Sequence, residues 1–490
     1  MISQFLGIGG MPEVPYLCSR FKDSRKMKAI ILTTVLALSG LNATAQEKSV
    51  DATTGATRQV SKTEKVADAL SRLHIGGYGE AVMTRNFYSQ SFNRYKKPEN
   101  YTNDKSHGRF DLPHVVLNLG YDFGNGWTLG SEIEFEHGGN GTAVEIEAEE
   151  AGEYEAEVEK GGEVNIEQFW LNKEFMGGKF NIKAGEIIVP VGYSNAHHEP
   201  NQFFTVYRPE GEATIMPNTW HQLGLSLWGK LKDWRYEAQF LSGLNSESFT
   251  AENFVHYGAT SPYEFKVANN YAGAVRIDNY SVKGLRIGLS GYYGYTFRNT
   301  LRTPGAKYDD VTGALGIAAL DFTLNRWNWI VRGNIDYAYF SDADAISAYN
   351  QANWTHHKYQ DGNPHHYTNI GSHALAYAVE AGYNVMHLFS TPSKGGAGGG
   401  SLFLFGRFEH YNTMASGTYK SMYKYTKKYR YAVGVNYSPL KQITIKGEYS
   451  YRFFEKPNNN GLNSDSPLYK QPYNNEPSVS LGVTYCGWFL

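Results

Sequence analysis

The sequence predicts an all-β chain, a transmembrane antiparallel β-barrel of about 16 strands with short turns at one rim and long loops at the other. Three observations carry this. Apolar and polar residues alternate over runs of about ten residues. The connections between these runs are by turns short and long. Composition excludes the main rivals. The 490 residues are 41% hydrophobic and 15% aromatic, with 52 Gly and 37 Tyr, too apolar for a disordered chain. No run of 18 apolar residues suits a membrane-spanning helix. The 46 basic and 48 acidic residues give −2, so no basic excess points to nucleic acid. Cys18 and Cys486 offer neither a disulfide framework nor zinc spacing.

The N-terminus reads as an export signal. Met27-Lys28 precedes an apolar run, Ala29 to Leu38, and then Ala43-Thr44-Ala45. A positive start, a short apolar core and small residues at the cut make a secretory signal peptide over 1–45. Residues 1–26 read as a start mis-assigned upstream, in preference to an extended basic n-region. With five of the 46 basic and two of the 48 acidic residues in this leader, the remainder carries −5. Residues 46–73 turn polar and form a periplasmic N-terminal segment. Val66, Ala69, Leu70 and Leu73 give one helical stripe, too short to be stable alone. A solvated linker is preferred there to an oligomerisation segment.

The barrel is assigned to 74–490. Leu285, Ile287, Leu289, Tyr293, Tyr295 and Phe297 alternate with Arg286, Ser290 and Arg298. Trp327, Trp329, Val331, Ile335, Tyr337 and Tyr339 alternate with Asn328, Arg332, Asn334 and Asp336. Ile443, Ile445, Tyr449, Tyr451 and Phe453 alternate with Thr444, Lys446, Glu448, Ser450 and Arg452. One face suits lipid, the other water. Alternation is poorest at 74–87, 164–175 and 310–323, which leaves fourteen or eighteen strands open.

Loop length decides between a barrel and a soluble sandwich. Short connections fall at 124–126, 176–178, 229–232, 281–284, 324–326 and 438–442, with a Gly-rich one at 386–400. Long ones fall at 88–108, 138–163, 190–218, 242–270, 298–310, 341–372, 411–428 and 455–477. They take turns throughout, which is the layout of short periplasmic turns and long extracellular loops in an outer membrane. The last run places Val479, Leu481, Val483, Tyr485, Gly487 and Phe489 on one face, similar to the aromatic C-terminal signal read by the barrel-assembly machinery, although Leu490 follows.

Several segments then resemble the Bacteroidetes outer-membrane porins related to the phosphate-selective porin O and P family. They are Gly108-Arg109-Phe110-Asp111, the hairpin Tyr121 to Trp127, Gly185 to Tyr193, and Thr205 to Gly211. The resemblance covers roughly 74–490 and implies a passive diffusion channel, commonly a homotrimer, in the outer membrane of a Gram-negative bacterium. It does not carry phosphate selectivity, which would call for a concentrated basic ladder. The expected lumen face holds Lys183, Arg276, Arg286, Arg298, Arg332, Arg407, Arg430, Lys446 and Arg452 against Glu132, Glu134, Glu136, Glu237, Asp278, Asp336, Glu380, Glu409 and Glu448. These balance, so no net anion attractor is expected, and facing pairs neutralising one another is an equal reading.

Other motifs have plainer readings. The stretch 144–159 is nearly a mirror about Ala151-Gly152 with Glu at every second position, a hairpin with its carboxylates on one face. A solvated charged arm is preferred there to a divalent-ion site. His356-His357 and His365-His366, with His373 nearby, are preferred as polar loop filler. The Tyr/Lys run Tyr419 to Tyr431 suits an aromatic rim. No cofactor and no metal site is expected.

The third long loop carries the sharpest expectation. Pro190 ends its strand, Phe203, Phe204 and Tyr207 offer packing, and Arg208-Pro209-Glu210-Gly211-Glu212 sets a guanidinium between carboxylates, with His197, His198 and Glu199 upstream. In sixteen-stranded porins that loop commonly folds inward, and the resemblance implies it here. The expected function is therefore a porin, not an enzyme, passing small hydrophilic solutes or ions through a water-filled barrel narrowed by this loop. Its partners would be outer-membrane lipid, lipopolysaccharide and the assembly machinery. The alternatives are an adhesin or receptor acting through long loops, or a barrel-type enzyme, for which no nucleophile–base pair stands out.

Overall fold

A computed structural model describes residues 47–50, 57–60, 62–88, 103–139, 143–147, 157–161, 163–261, 263, 265–353, 369–388, 400–416, 424–455 and 474–490. The leader over 1–45 and the histidine pairs His356-His357 and His365-His366 lie outside these residues. Sixteen antiparallel strands close on themselves. They are β1 (Leu73–Asn86), β2 (His107–Asp111 and His114–Gly124, broken at Pro113), β3 (Trp127–Glu136), β4 (Glu163–Phe175), β5 (Phe180–Ile188), β6 (His221–Leu231), β7 (Trp234–Ser242) and β8 (Tyr271–Asn279). The second half comprises β9 (Leu285–Tyr295), β10 (Ala314–Arg326), β11 (Trp329–Phe340), β12 (His373–Asn384), β13 (Ser401–Ser416), β14 (Lys427–Leu440), β15 (Ile443–Phe454) and β16 (Asn475–Trp488). Each strand pairs with the next, and β16 closes on β1 from Ser478 opposite Asn86 to Trp488 opposite Gly76. Closure leaves no unpaired edge, which a bilayer demands.

The outward face is apolar. Leu223, Phe240, Val275, Leu289, Ile335, Val433 and Leu481 are all exposed, flanked by Trp127, Trp234, Trp327 and Trp329 at the short-turn rim. Such a band with aromatic girdles marks an outer-membrane barrel, and that is where this chain resides. Short turns need left-handed backbone, supplied by Asn125 and Gly126 between β2 and β3 and by Trp327 and Asn328 between β10 and β11. The sequence places the latter turn at 324–326; β10 instead runs on to Arg326. Likewise β13 reaches Ser416, six residues into the loop expected over 411–428.

The interior is not an empty cylinder. Beneath the long loops, apolar side chains of the loop segments meet inward residues of the strands. Leu244, Phe249, Phe254, Phe297, Ile346, Tyr349 and Ile370 pack with Ala272, Ala274, Leu315, Ala338, Phe340 and Ala374. A helix, α3 (Ala343–Asn353), supplies Ile346 and Tyr349. At the short-turn rim, the helix α1 (Lys62–Arg72) abuts β1, and Arg72 donates to the Phe123 carbonyl at 3.2 Å. The expected acidic hairpin forms as Ala143–Glu147 against Glu157–Gly161, with Glu145 opposite Glu159 and Glu147 opposite Glu157.

Candidate functional site

The segment 189–220, between β5 and β6, runs through the barrel interior. It leaves the wall at Pro190, turns at Gly192 (φ +81°) and carries the short helix α2 (Glu210–Ile215). Val189, Val191, Phe203, Phe204, Val206, Ile215, Met216 and Trp220 are all buried.

Charged groups of the wall bind its backbone, because a loop that leaves water needs partners for its N–H and C=O groups. The Lys446 ammonium donates to the carbonyls of Pro200 (2.6 Å), Phe203 (3.1 Å) and Thr205 (2.9 Å). Glu448 accepts from Val206 N–H at 2.7 Å, and Glu409 accepts from Glu210 and Gly211 at 3.0 and 2.9 Å. Arg276 donates to the Gly192 carbonyl at 2.8 Å. Phe204 stacks on Phe405 at 5.5 Å beneath the Arg332 guanidinium. Gly382 provides its seat: a Cβ there would overlap the ring.

The expected loop residues have separate roles. Arg208 donates to Thr219 and, at 3.3 Å, to the Tyr78 hydroxyl, with Glu134 at 3.7 Å. Burial opposes its charge, but Tyr78, Glu134, Glu167 and Glu80 push its pKa up, so it is a fixed cation. Glu210 accepts from Arg452 (2.8 Å) and Tyr411 (2.9 Å) and faces Arg430 at 3.3 Å. Burial works against ionisation there, yet Arg452 and Arg430 lower its pKa to about 2. Glu212 turns back instead, accepting from Tyr193 N–H and, at 2.7 Å, Ser194 N–H, with burial raising its pKa. The expected rigid turn over 208–212 is therefore an arginine facing β1 and β3, followed by a helical start. His197 stacks on Tyr193 at 4.6 Å, and burial with Arg286 and Arg276 holds its pKa well below the usual value. His198 faces the other way, toward Glu132 at 3.7 Å. Glu199 caps the turn Pro200–Gln202 and accepts from the Cys486 thiol at 3.3 Å.

The wall charges form two paired bands. One runs Arg332–Glu380 (2.5 Å), Glu380–Arg407 (3.2 Å), Arg407–Glu409 (2.8 Å), Glu409–Arg430 (3.0 Å) and Arg430–Glu448 (2.5 Å), across β11 to β15. Arg452 continues it to Glu476. The other joins Arg276 to Asp278 (2.8 Å) and Asp321 (3.0 Å), and Arg286 to both, with Arg235 beside Glu237. Asp336 accepts from Asn334 at 2.5 Å, and Lys183 lies over Trp170. Arg298 does not join them. β9 ends at Tyr295, Phe297 is buried, and Arg298 (φ +74°) sits half-exposed in the outer loop, 3.5 Å from Asp309.

Sequence reasoning missed Glu80, Glu167, Arg235, Asp321 and Glu476, all buried inward. Three of these sit on β1, β4 and β10, where alternation is poor. The reason at β4 is a β-bulge: Glu132 pairs Gln168 and Ile133 pairs Ile166, so Glu167 is an extra residue and both it and Gln168 point inward. Glu80, Glu132, Glu134 and Glu167 thus form an acidic chamber on β1, β3 and β4, each no more than 3% exposed, with the Arg208 guanidinium facing Glu80, Glu134 and Glu167. Two groups here have metal-ligand spacing, His114 with Glu134 and Glu136, and Glu132 with Glu167 and His198. Beside the loop, a cavity of about 520 Å³ is lined by Lys183, His197, Arg235, Glu237 and Asp278. A second of about 770 Å³ is lined by Tyr193, Gln202, Arg286, Thr323 and Arg332.

No family model matches the chain. It is 27% identical over 400 residues to an uncharacterized protein of Aquifex aeolicus strain VF5, covering 79% of this chain and 77% of that protein. Among solved structures it is similar to the anion-selective porin from Comamonas acidovorans, at 11% identity and TM-score 0.46, covering 85% of this chain and 99% of that one. It is also similar to the outer-membrane channel DcaP of Acinetobacter baumannii, at 10% identity and TM-score 0.45, covering 85% and 97%. Pseudomonas putida OprB matches at 7% identity and TM-score 0.41, covering 86% and 95%.

Proposed function

We propose that the chain is an outer-membrane porin, passing small hydrophilic solutes or ions by passive diffusion and narrowed by its third extracellular loop, 189–220. The observation that carries this reading is the attachment of that loop: Lys446, Glu448, Glu409 and Arg276 hold its backbone across the barrel interior. Opposed fixed charges along an aqueous gap orient polar solutes and reject apolar ones. The paired bands leave little net field on β7 to β15, whereas the chamber on β1, β3 and β4 is acidic. Cations are therefore the preferred ions, by at most several-fold. Assembly as a homotrimer, delivery by the barrel-assembly machinery and contact with lipopolysaccharide belong to the same proposal, and no catalysis is assigned.

Planar-bilayer recordings test it. The parent should give discrete ohmic steps, and deletion of 200–212 should raise them while the protein keeps heat-modifiable migration on gels. Absence of conductance from correctly folded protein would favour a receptor acting through its loops.

A further inference from the structure

The bulge at Glu167 inserts a carboxylate where none is easily tolerated. Glu167 is 1% exposed, and neither of its oxygens has a hydrogen-bond donor. A buried carboxylate that accepts no hydrogen bond is costly, so such a group takes up a proton or a cation. Its surroundings add negative charge: Glu132 and Glu134, 3% and 2% exposed, stand beside it on β3. Arg208 is already directed at Glu134 and Tyr78.

His198 completes the arrangement. Its Nδ1 lies 3.3 Å from the Asn195 carbonyl, which fixes that nitrogen as the donor and leaves Nε2 with its lone pair free. Nε2 is buried without a hydrogen-bond partner and points at Glu132 Oε1, 3.7 Å away. Glu132 Oε2 is in turn held by the Gln168 amide. One ligand atom from each of Glu132, Glu167 and His198 lies within 4.8 Å of the others. By contrast His114 is hydrogen-bonded to Glu134 at 2.6 Å, so that neighbouring group is satisfied internally.

We propose that Glu132, Glu167 and His198 bind one divalent transition-metal cation of the zinc class. Two carboxylates neutralise its charge, and the imidazole nitrogen favours zinc-like ions over calcium and magnesium, which take oxygen ligands. The ion would join loop 189–220 to β3 and β4, and this holds whether or not the barrel conducts.

The test uses the full-length barrel in detergent, stripped with chelator and titrated with Zn²⁺ alone by calorimetry, with Co²⁺ absorption as a second readout. The parent should bind one equivalent more than either Glu167→Gln or His198→Ala, with affinity at that site falling at least about 10- to 100-fold. His114→Ala should keep it. The Co²⁺ visible bands should change with His198→Ala, because a nitrogen ligand is lost. Heat-modifiable migration confirms that each variant is folded. Equal stoichiometry in parent, Glu167→Gln and His198→Ala would overturn the proposal. So would no binding by the parent, which would leave a proton shared between Glu134 and Glu167. Equal affinity for Ca²⁺ would overturn the assignment to the zinc class.

Discussion

Replacing Lys446 by methionine tests how loop 189–220 is held in the barrel. The ammonium donates to three loop carbonyls, at 2.6, 2.9 and 3.1 Å, and lies over the Phe203 ring at 4.2 Å. Methionine fills similar volume but leaves those carbonyls unpaired. Hydrogen bonds to a charged group contribute about 1.5–3 kcal/mol each, part of which offsets the cost of burying the ammonium. Breaking such a buried polar set costs about 3–5 kcal/mol. The sixteen-strand ladder does not depend on this side chain, so the loss falls on loop docking. At about 1.4 kcal/mol per tenfold, even 3 kcal/mol lowers the docked-to-released ratio roughly 100-fold. In single-channel recordings, Lys446→Met should raise mean conductance and add open-state noise, and Lys446→Arg should restore much of the parent behaviour. A Lys446→Met channel with the parent's conductance and noise, from protein with normal heat-modifiability, would refute the account.

Arg208→Glu adds a carboxylate to the chamber of Glu80, Glu134 and Glu167. The zero-current potential in a KCl gradient should move toward cation selectivity, and an unmoved potential would place Arg208 away from the ion path. The Glu210 carboxyl, at about 2 when docked against Arg452 and Arg430, would titrate near 4.3 in water. Its pKa is depressed on docking, so its contribution is present above the solvated value and lost as pH falls through about 2. The conductance difference between parent and Glu210→Gln should therefore be constant above pH 5 and vanish toward pH 2; a difference already fading between pH 7 and 5 would contradict this. Gly382→Val should displace the Phe204 ring, altering conductance without loss of folded barrel, as read by bilayer recording and gel migration. Metal-free Glu167→Gln should fold at least as well as the parent in chelator, because the amide needs no proton or cation to be buried there; a lower refolding yield would count against the burial argument.

Much of the fold is legible in the amino-acid sequence. A strand's period of two sorts side chains between lipid and interior, so Leu289, Ile335 and Leu481 declare themselves against Arg286, Arg332 and Lys446. Loop lengths give strand number and orientation, because periplasmic turns can be short and extracellular loops need not be. The loop expected over 190–218 is also marked as chemically unusual in the sequence, through Pro190, Phe204 and Arg208. Tertiary structure decided what local pattern cannot encode. A bulge at Glu167 breaks alternation and turns two neighbours inward, and nothing in the single strand announces which residue is the extra one. Arg298 keeps the alternating pattern but lies beyond the end of its strand. Which charges pair, as Glu380 does with Arg332 and Arg407, depends on register between strands tens of residues apart. The destination of each loop carbonyl depends on side chains such as Lys446, more than 240 residues downstream. Alternation is a property of one strand in two environments; a site inside a closed barrel is a property of many strands brought round to face each other.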